Sequence, residues 1–168
     1  MPVTAFPALL SRRQLVLGLA GLGCLGRAQA AVPANQHLIS MEVWNDPNCG
    51  CCNDWIALME HAGFAVKVHP QGNTVVRAKL GLPAELGSCH TALVGGYLVE
   101  GHVPAADVHK LLQQKPKALG ITVPGMPIGS PGMDGAVYGG RKDPYDVLLV
   151  QKSLVRSGVS TSVFSRYR

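Results

Sequence analysis

Three thiols fall within four residues, Cys49-Gly50-Cys51-Cys52, and a fourth, Cys89, stands beside His90 further along the chain. A hydrophobic core has no use for that density of sulfur. Thiolates are soft ligands and good nucleophiles. The grouping therefore points to copper(I), which prefers sulfur to the oxygen donors that suit magnesium, calcium or manganese, or to thiol redox chemistry. Cys49 and Cys52 have the C-x-x-C spacing that brings two sulfurs together at a helix start, with Cys49 attacking and Cys52 resolving if the pair is catalytic. Cys51 complicates that use, because the vicinal pair Cys51 and Cys52 closes only a strained ring. Successive helical residues point ~100° apart, so this pair also suits a single tetrahedral ion poorly. A structural zinc site ordinarily draws on two separated C-x-x-C pairs, and here there is one pair with extras. Diverging thiolates can instead bridge several Cu(I) ions, each taking two or three soft ligands. The bland alternative is two disulfides, for instance Cys49 with Cys52 and Cys51 with Cys89. It explains the crowding poorly, since short loops gain little from closure.

Other side chains are weighed against this cluster. His90 gains as a metal ligand from its neighbour Cys89. Met126 and Met133 recur in Pro124-Gly125-Met126 and Pro131-Gly132-Met133, off any apolar stripe, and admit both a gap-filling and a ligand role. His61, His69, His102 and His109 read as solvated or hydrogen-bonded side chains, and His37 as the start of the ordered chain. Trp44 and Trp55 read first as core, with a second use as a water-excluding cover.

The elements that must position these groups follow from periodicity. Leu38 to Trp44 alternates as a strand and ends at the turn signal Asn45-Asp46-Pro47-Asn48. From Cys52 the apolar residues Trp55, Ile56, Met59 and Ala62 fall three or four apart, which predicts a helix stopped by Gly63. Phe64 to Val68 is a second strand, parallel to the first by the usual rule for strand-helix-strand units. Val75 to Leu80 makes a helical turn or two. Gly95-Gly96 joins Thr91 to Val94 and Tyr97 to Val99 as a hairpin. Pro104 opens a helix through Gln114, with Val108, Leu111 and Leu112 on its apolar side, and Pro116 ends it. Strand, helix, strand, helix, hairpin, helix is an α/β, thioredoxin-like plan, with the thiols on the loop entering the first helix. There the helix dipole and unpaired N–H groups favour a thiolate. Oxidoreductases of that plan clamp substrate with a cis-proline before the third strand. Here that place reads Ser88-Cys89-His90-Thr91, so a ligand stands where the clamp would be. The Gly- and Pro-rich stretch from Gly120 to Gly140 predicts a long functional or mobile loop. Tyr145 to Gln151 and Ser160 to Tyr167 predict an added C-terminal β-hairpin, with Ser157-Gly158 in its connection.

Residues 1–30 read as an export signal: Arg12 and Arg13 precede an apolar run from Leu15 to Leu25 and an Ala28-Gln29-Ala30 site, with cleavage expected after Ala30. The run is too short for a spanning helix, which needs ~20 apolar residues, so no transmembrane span is expected in the mature chain. Ser11-Arg12-Arg13-Gln14-Leu15 resembles a twin-arginine signal, with ordinary secretion as the alternative; Cys24 is removed on either route. Loss of Arg12, Arg13 and Arg27, with no acid, takes the net charge from +5 to +2. The resulting near-neutral chain, poor in aromatic residues, argues against nucleic-acid binding. Residues 31–168 are expected to form one periplasmic domain. In that oxidising compartment the four remaining thiols need either partners or a metal.

With Cys49-Gly50-Cys51-Cys52, Ser88-Cys89-His90-Thr91, Gly101-His102-Val103-Pro104, Val123-Pro124-Gly125-Met126-Pro127 and Gly129-Ser130-Pro131-Gly132-Met133 in order, the chain resembles the exported CopG-type copper-resistance proteins over residues 39–167. The resemblance implies a thioredoxin-like periplasmic domain whose Cys49, Cys51, Cys52 and Cys89 bind copper, as a cysteine-bridged cuprous cluster, in copper handling or detoxification. It also implies copper ions, and other periplasmic copper-handling proteins, as partners. One departure is that Lys152-Ser153-Leu154-Val155-Arg156-Ser157-Gly158 stands where the family often carries an acidic turn.

Overall fold

Seven strands form one mixed sheet in the order β2-β1-β3-β4-β5-β6-β7 in the computed structural model, which describes residues 37–153 and 158–168. The expected export signal at residues 1–30 and Ser157 of the last connection lie outside the described residues. β1 (Ile39–Asn45) leads through α1 (Gly50–His61) to β2 (Phe64–His69), which lies parallel to it in register Ile39 with Phe64. α1 keeps the expected apolar stripe: Cys52, Trp55, Ile56 and Met59 are buried. Gly63 follows its C-cap at φ +92, a left-handed conformation that glycine adopts without Cβ strain.

After the short α2 (Thr74–Lys79), β3 (His90–Val94) runs antiparallel to β1 and turns through Gly95-Gly96 into β4 (Tyr97–Glu100). Both turn glycines have positive φ, as a primed hairpin turn demands. α3 (Ala105–Gln114) follows Pro104 and ends at Lys115. Val108 and Leu111 of α3 meet Trp55, Ile56 and Met59 of α1 in one core with Met41, Val43, Ala92, Val94, Val99, Ile121 and Val147. His109 of α3 stacks on Phe64 and donates from Nε2 to the Ala62 carbonyl (2.9 Å), fastening α3 to the end of α1. Leu98 points to the opposite face of the sheet from Val99, where it packs with Leu82 and Val150.

The stretch read as one long loop contains β5 (Gly120–Thr122), parallel to β4 and antiparallel to β6 (Tyr145–Lys152). Three residues are too few to show alternation, and all three are buried, so no polar face marks the strand. A Cβ at position 120 would overlap the Leu98 carbonyl oxygen, which is why glycine opens this strand. β6 pairs with β7 (Val159–Tyr167). Through β5 this hairpin extends the main sheet instead of standing apart from it. No helix among the described residues is long and apolar enough to cross a membrane.

Candidate metal centre

Two segments far apart in sequence deliver the thiols to one place. The Asp46 carboxylate accepts from Asn48 N (2.8 Å) and the Asp46 carbonyl from Cys49 N (3.0 Å), so the chain turns sharply after β1. Cys49 is the N-cap of α1, and Cys51 and Cys52 lie in its first turn, which carries no acidic residue to oppose the helix dipole. Cys89 arrives on the short segment before β3. The ligand atoms of Cys49, Cys51, Cys52 and Cys89 all lie within 4.8 Å of one another. Two sulfurs on one ion stand at most ~4.6 Å apart with metal–sulfur bonds of ~2.3 Å, so the four fit shared ions with small adjustments.

In the state described, Cys49 and Cys52 are joined by a disulfide while Cys51 and Cys89 are free. Cys51 Sγ lies 3.5 Å from Cys49 Sγ, and Cys52 Sγ lies 3.7 Å from the Cys89 carbonyl oxygen. The pairing of Cys49 with Cys52 is thus present and a pairing of Cys51 with Cys89 is not. Recruiting all four as thiolates requires reduction of the first pair. Burial, with the neighbouring Cys51 adding to it, pushes the Cys89 thiol up to about 12, so without a metal it holds its proton.

Imidazoles complete the cluster. Reading His102 as an ordinary hydrogen-bonded histidine catches half of its role: its Nδ1–H donates to the Pro131 carbonyl (2.9 Å), which leaves Nε2 bare and facing Cys89 Sγ at 3.0 Å. His90 Nδ1 lies 3.4 Å from the same sulfur. Cys89, His90 and His102 converge within 4.8 Å as a second group sharing Cys89. Both rings are fully buried. Burial holds His90 down to about 3, helped by His102 and opposed by the Gly101 backbone, and burial also lowers His102, so both are neutral with lone pairs to give. The only sequence signal for His102 was its place in Gly101-His102-Val103-Pro104. His61, His69 and His109 lie elsewhere in hydrogen bonds to Ala57, Glu42 and Ala62.

Trp55 closes one side. It is fully buried, its Nε1–H donates to the Val103 carbonyl (2.8 Å), and its ring lies 4.3 Å from that of His90. Trp44, by contrast, is half-buried and stacks on His69 at 4.6 Å, so it is not a full member of the core.

Each Pro-Gly-Met repeat holds one of the two cysteine segments. At the first, Gly125 N donates to the Gly87 carbonyl (3.0 Å) and accepts, at its own carbonyl, the Ser88 hydroxyl. At the second, Pro131 orients His102, and Gly132 presses on α1 so closely that a Cβ would sit 2.6 Å from the Cys51 carbonyl. The methionines themselves diverge: Met126 is 51% exposed, whereas buried Met133 accepts the Tyr138 hydroxyl at its sulfur (3.3 Å). Behind Cys89, the buried Glu100 carboxylate accepts from Ser88 N (2.7 Å), Arg77 (3.1 Å) and Thr91, which fixes the backbone entering Cys89. Burial raises the Glu100 carboxyl despite these partners.

Residues 86–133, from just before Cys89 through Met133, match a family model described as "Protein of unknown function, DUF411". No curated protein matches the chain. Two solved structures do. The "Copper resistance protein copG- Form 2" is 44% identical, with a TM-score of 0.68 over 78% of this chain and 99% of that one. The "Copper resistance protein copG- Form 1" is also 44% identical, with a TM-score of 0.67 over 77% of this chain and 98% of that one.

Proposed function

Since the chain belongs to the family of the copper resistance protein copG, we propose that it is a periplasmic copper(I)-binding protein serving copper resistance. The observation that carries this reading is the convergence of four cysteine sulfurs, from two distant segments, within 4.8 Å. Reduced, Cys49, Cys51, Cys52 and Cys89 offer more sulfur than one ion needs and diverge along a helix start. They therefore bridge several cuprous ions. The β1-α1-β2 unit, the β3-β4 hairpin and α3, with thiols at the mouth of the first helix, support a thioredoxin-like reading of the fold. Export, with cleavage near Ala30, places the thiols in an oxidising compartment where the Cys49–Cys52 disulfide can form.

Sequestration proceeds by ion-for-proton exchange. The helix dipole and the N–H groups of the first turn of α1 stabilise thiolate charge on that side. Cys89 gives up its proton only as copper arrives, because burial disfavours its free thiolate. Trp55 and the second Pro-Gly-Met repeat limit water access. Anaerobic titration with Cu(I), followed by native mass measurement, should show several ions per reduced monomer and a reduced number in the Cys51→Ser, Cys89→Ser double variant. Absence of uptake, or equal uptake by the double variant, would overturn the reading.

A second reading is favoured by the Cys49–Cys52 disulfide itself: a thiol-disulfide oxidoreductase using this pair, or a copper-linked one. In the copper-linked form, the dithiol closes to a disulfide, giving two electrons to two Cu(II) ions and releasing two protons. Turnover of a model disulfide that survives loss of Cys89 and ignores copper would favour the protein-directed reaction.

A further inference from the structure

We propose that Cys89, His90 and His102 form a subsite, one sulfur and two nitrogens, that shares Cys89 with the thiol cluster and holds a single copper ion while Cys49 and Cys52 are joined. This rests on the copper reading above and adds to it a place for the ion in the oxidised protein. The disulfide removes two of the four sulfurs from coordination, leaving Cys51 and Cys89 as the free thiols of the described residues. Cys89 keeps two imidazoles within reach.

The geometry is that of a site. About a four-coordinate ion with bonds of ~2.3 Å to sulfur and ~2.0 Å to nitrogen, sulfur and nitrogen ligands stand ~3.5 Å apart. Here His102 Nε2 is 3.0 Å and His90 Nδ1 3.4 Å from Cys89 Sγ, so an entering ion need lengthen these two separations by no more than about half an ångström, and all three ligand atoms already lie within 4.8 Å of one another. The Pro131 carbonyl holds His102 through Nδ1–H, the arrangement by which metal-bound histidines are usually oriented through their second nitrogen. His90 brings its nitrogen to the same sulfur from inside the core. It is fully buried with Nδ1 turned to the Cys89 sulfur, while Nε2, on the other side of the ring and without a hydrogen-bond partner among the described residues, carries the proton when Nδ1 binds an ion. Lone pairs from two imidazoles and one thiolate suit copper in either valence, whereas an all-thiolate set suits Cu(I).

The test uses the full chain prepared without reductant and confirmed by peptide mapping to retain the Cys49–Cys52 disulfide. It is titrated anaerobically with Cu(I) buffered by a chromophoric chelator, beside a fully reduced sample. The disulfide form should take up one ion, and copper X-ray absorption on that wild-type sample should show nitrogen together with sulfur neighbours. His102→Ala should weaken this uptake at least tenfold, and exposed His61→Ala should leave it unchanged. If the disulfide form binds nothing while the reduced form loads several ions, the subsite is refuted and the thiolate cluster stands. If neither form binds, both readings fall. Sulfur-only scattering, or unaltered affinity in a His102→Ala protein of native circular dichroism, would also overturn the subsite.

Discussion

Gly132→Ala puts the seating of the Pro-Gly-Met repeat on α1 to a quantitative test. Gly132 has φ +83, and a Cβ there would meet the Cys51 carbonyl oxygen at 2.6 Å and the Trp55 nitrogen at 2.9 Å. Both are helix backbone atoms, which cannot swing aside as the end of a side chain does. A left-handed conformation costs an L-residue ~1–2 kcal/mol, and overfilling a packed contact typically adds ~1–3 kcal/mol, so the variant should lose about 2–5 kcal/mol. For a domain of this size that is a fall in Tm of roughly 5–15 °C. Gly125→Ala supplies the internal control. Its φ is +71, but no atom lies within 4 Å of the Cβ position, so only the conformational cost of ~1–2 kcal/mol applies. Urea unfolding of both variants, reduced and metal-free, measures the difference. Gly132→Ala should be the less stable by at least ~1 kcal/mol and should also lose more copper affinity, because Pro131 holds His102. Equal midpoints would refute the packing of the second repeat against the helix mouth.

Glu100→Gln should destabilise by on the order of 3 kcal/mol, since it leaves the mostly buried Arg77 guanidinium without its counter-charge, and a change below ~1 kcal/mol in urea unfolding would discount that pair. Alkylation of unreduced protein followed by peptide mass mapping should label Cys51 before Cys89, whose thiol is pushed up to about 12, and leave Cys49 and Cys52 unlabelled; faster labelling of Cys89 would contradict its burial. Burial first, then the Asp107 and Asp134 charges, push the Tyr145 phenol up to about 12, and burial followed by the hydrogen bond to Asp107 raises Tyr167 too. The unfolded chain ionises near its ordinary pH of ~10 while the native phenols stay protonated, so stability is intact below pH ~10 and falls between ~10 and ~12. Tyrosinate absorbance should show two late-titrating phenols, and Tyr145→Phe should flatten the alkaline loss; a single step near 10 would contradict both shifts.

Much of the chain announced its own architecture. α1 was legible because Cys52, Trp55, Ile56 and Met59 repeat at helical spacing before Gly63, and the β3-β4 hairpin because Gly95-Gly96 admits little else. The crowding of thiols at the helix start was equally plain, since a C-x-C-C run is local in sequence. By contrast, β5 leaves no mark in the sequence because three fully buried residues carry no alternation, and the place of the last hairpin in the main sheet depends on that strand. His102 became part of the cluster only when the turn after β4 brought it against Cys89 and the Pro131 carbonyl turned its Nε2 toward the sulfur. Residue types and local spacing determine which groups are chemically capable and which elements carry them, because helix and turn preferences act over a few bonds. Which of those groups share one pocket, and which nitrogen of a ring faces inward, is decided by strand pairing and burial between segments that sequence spacing does not relate.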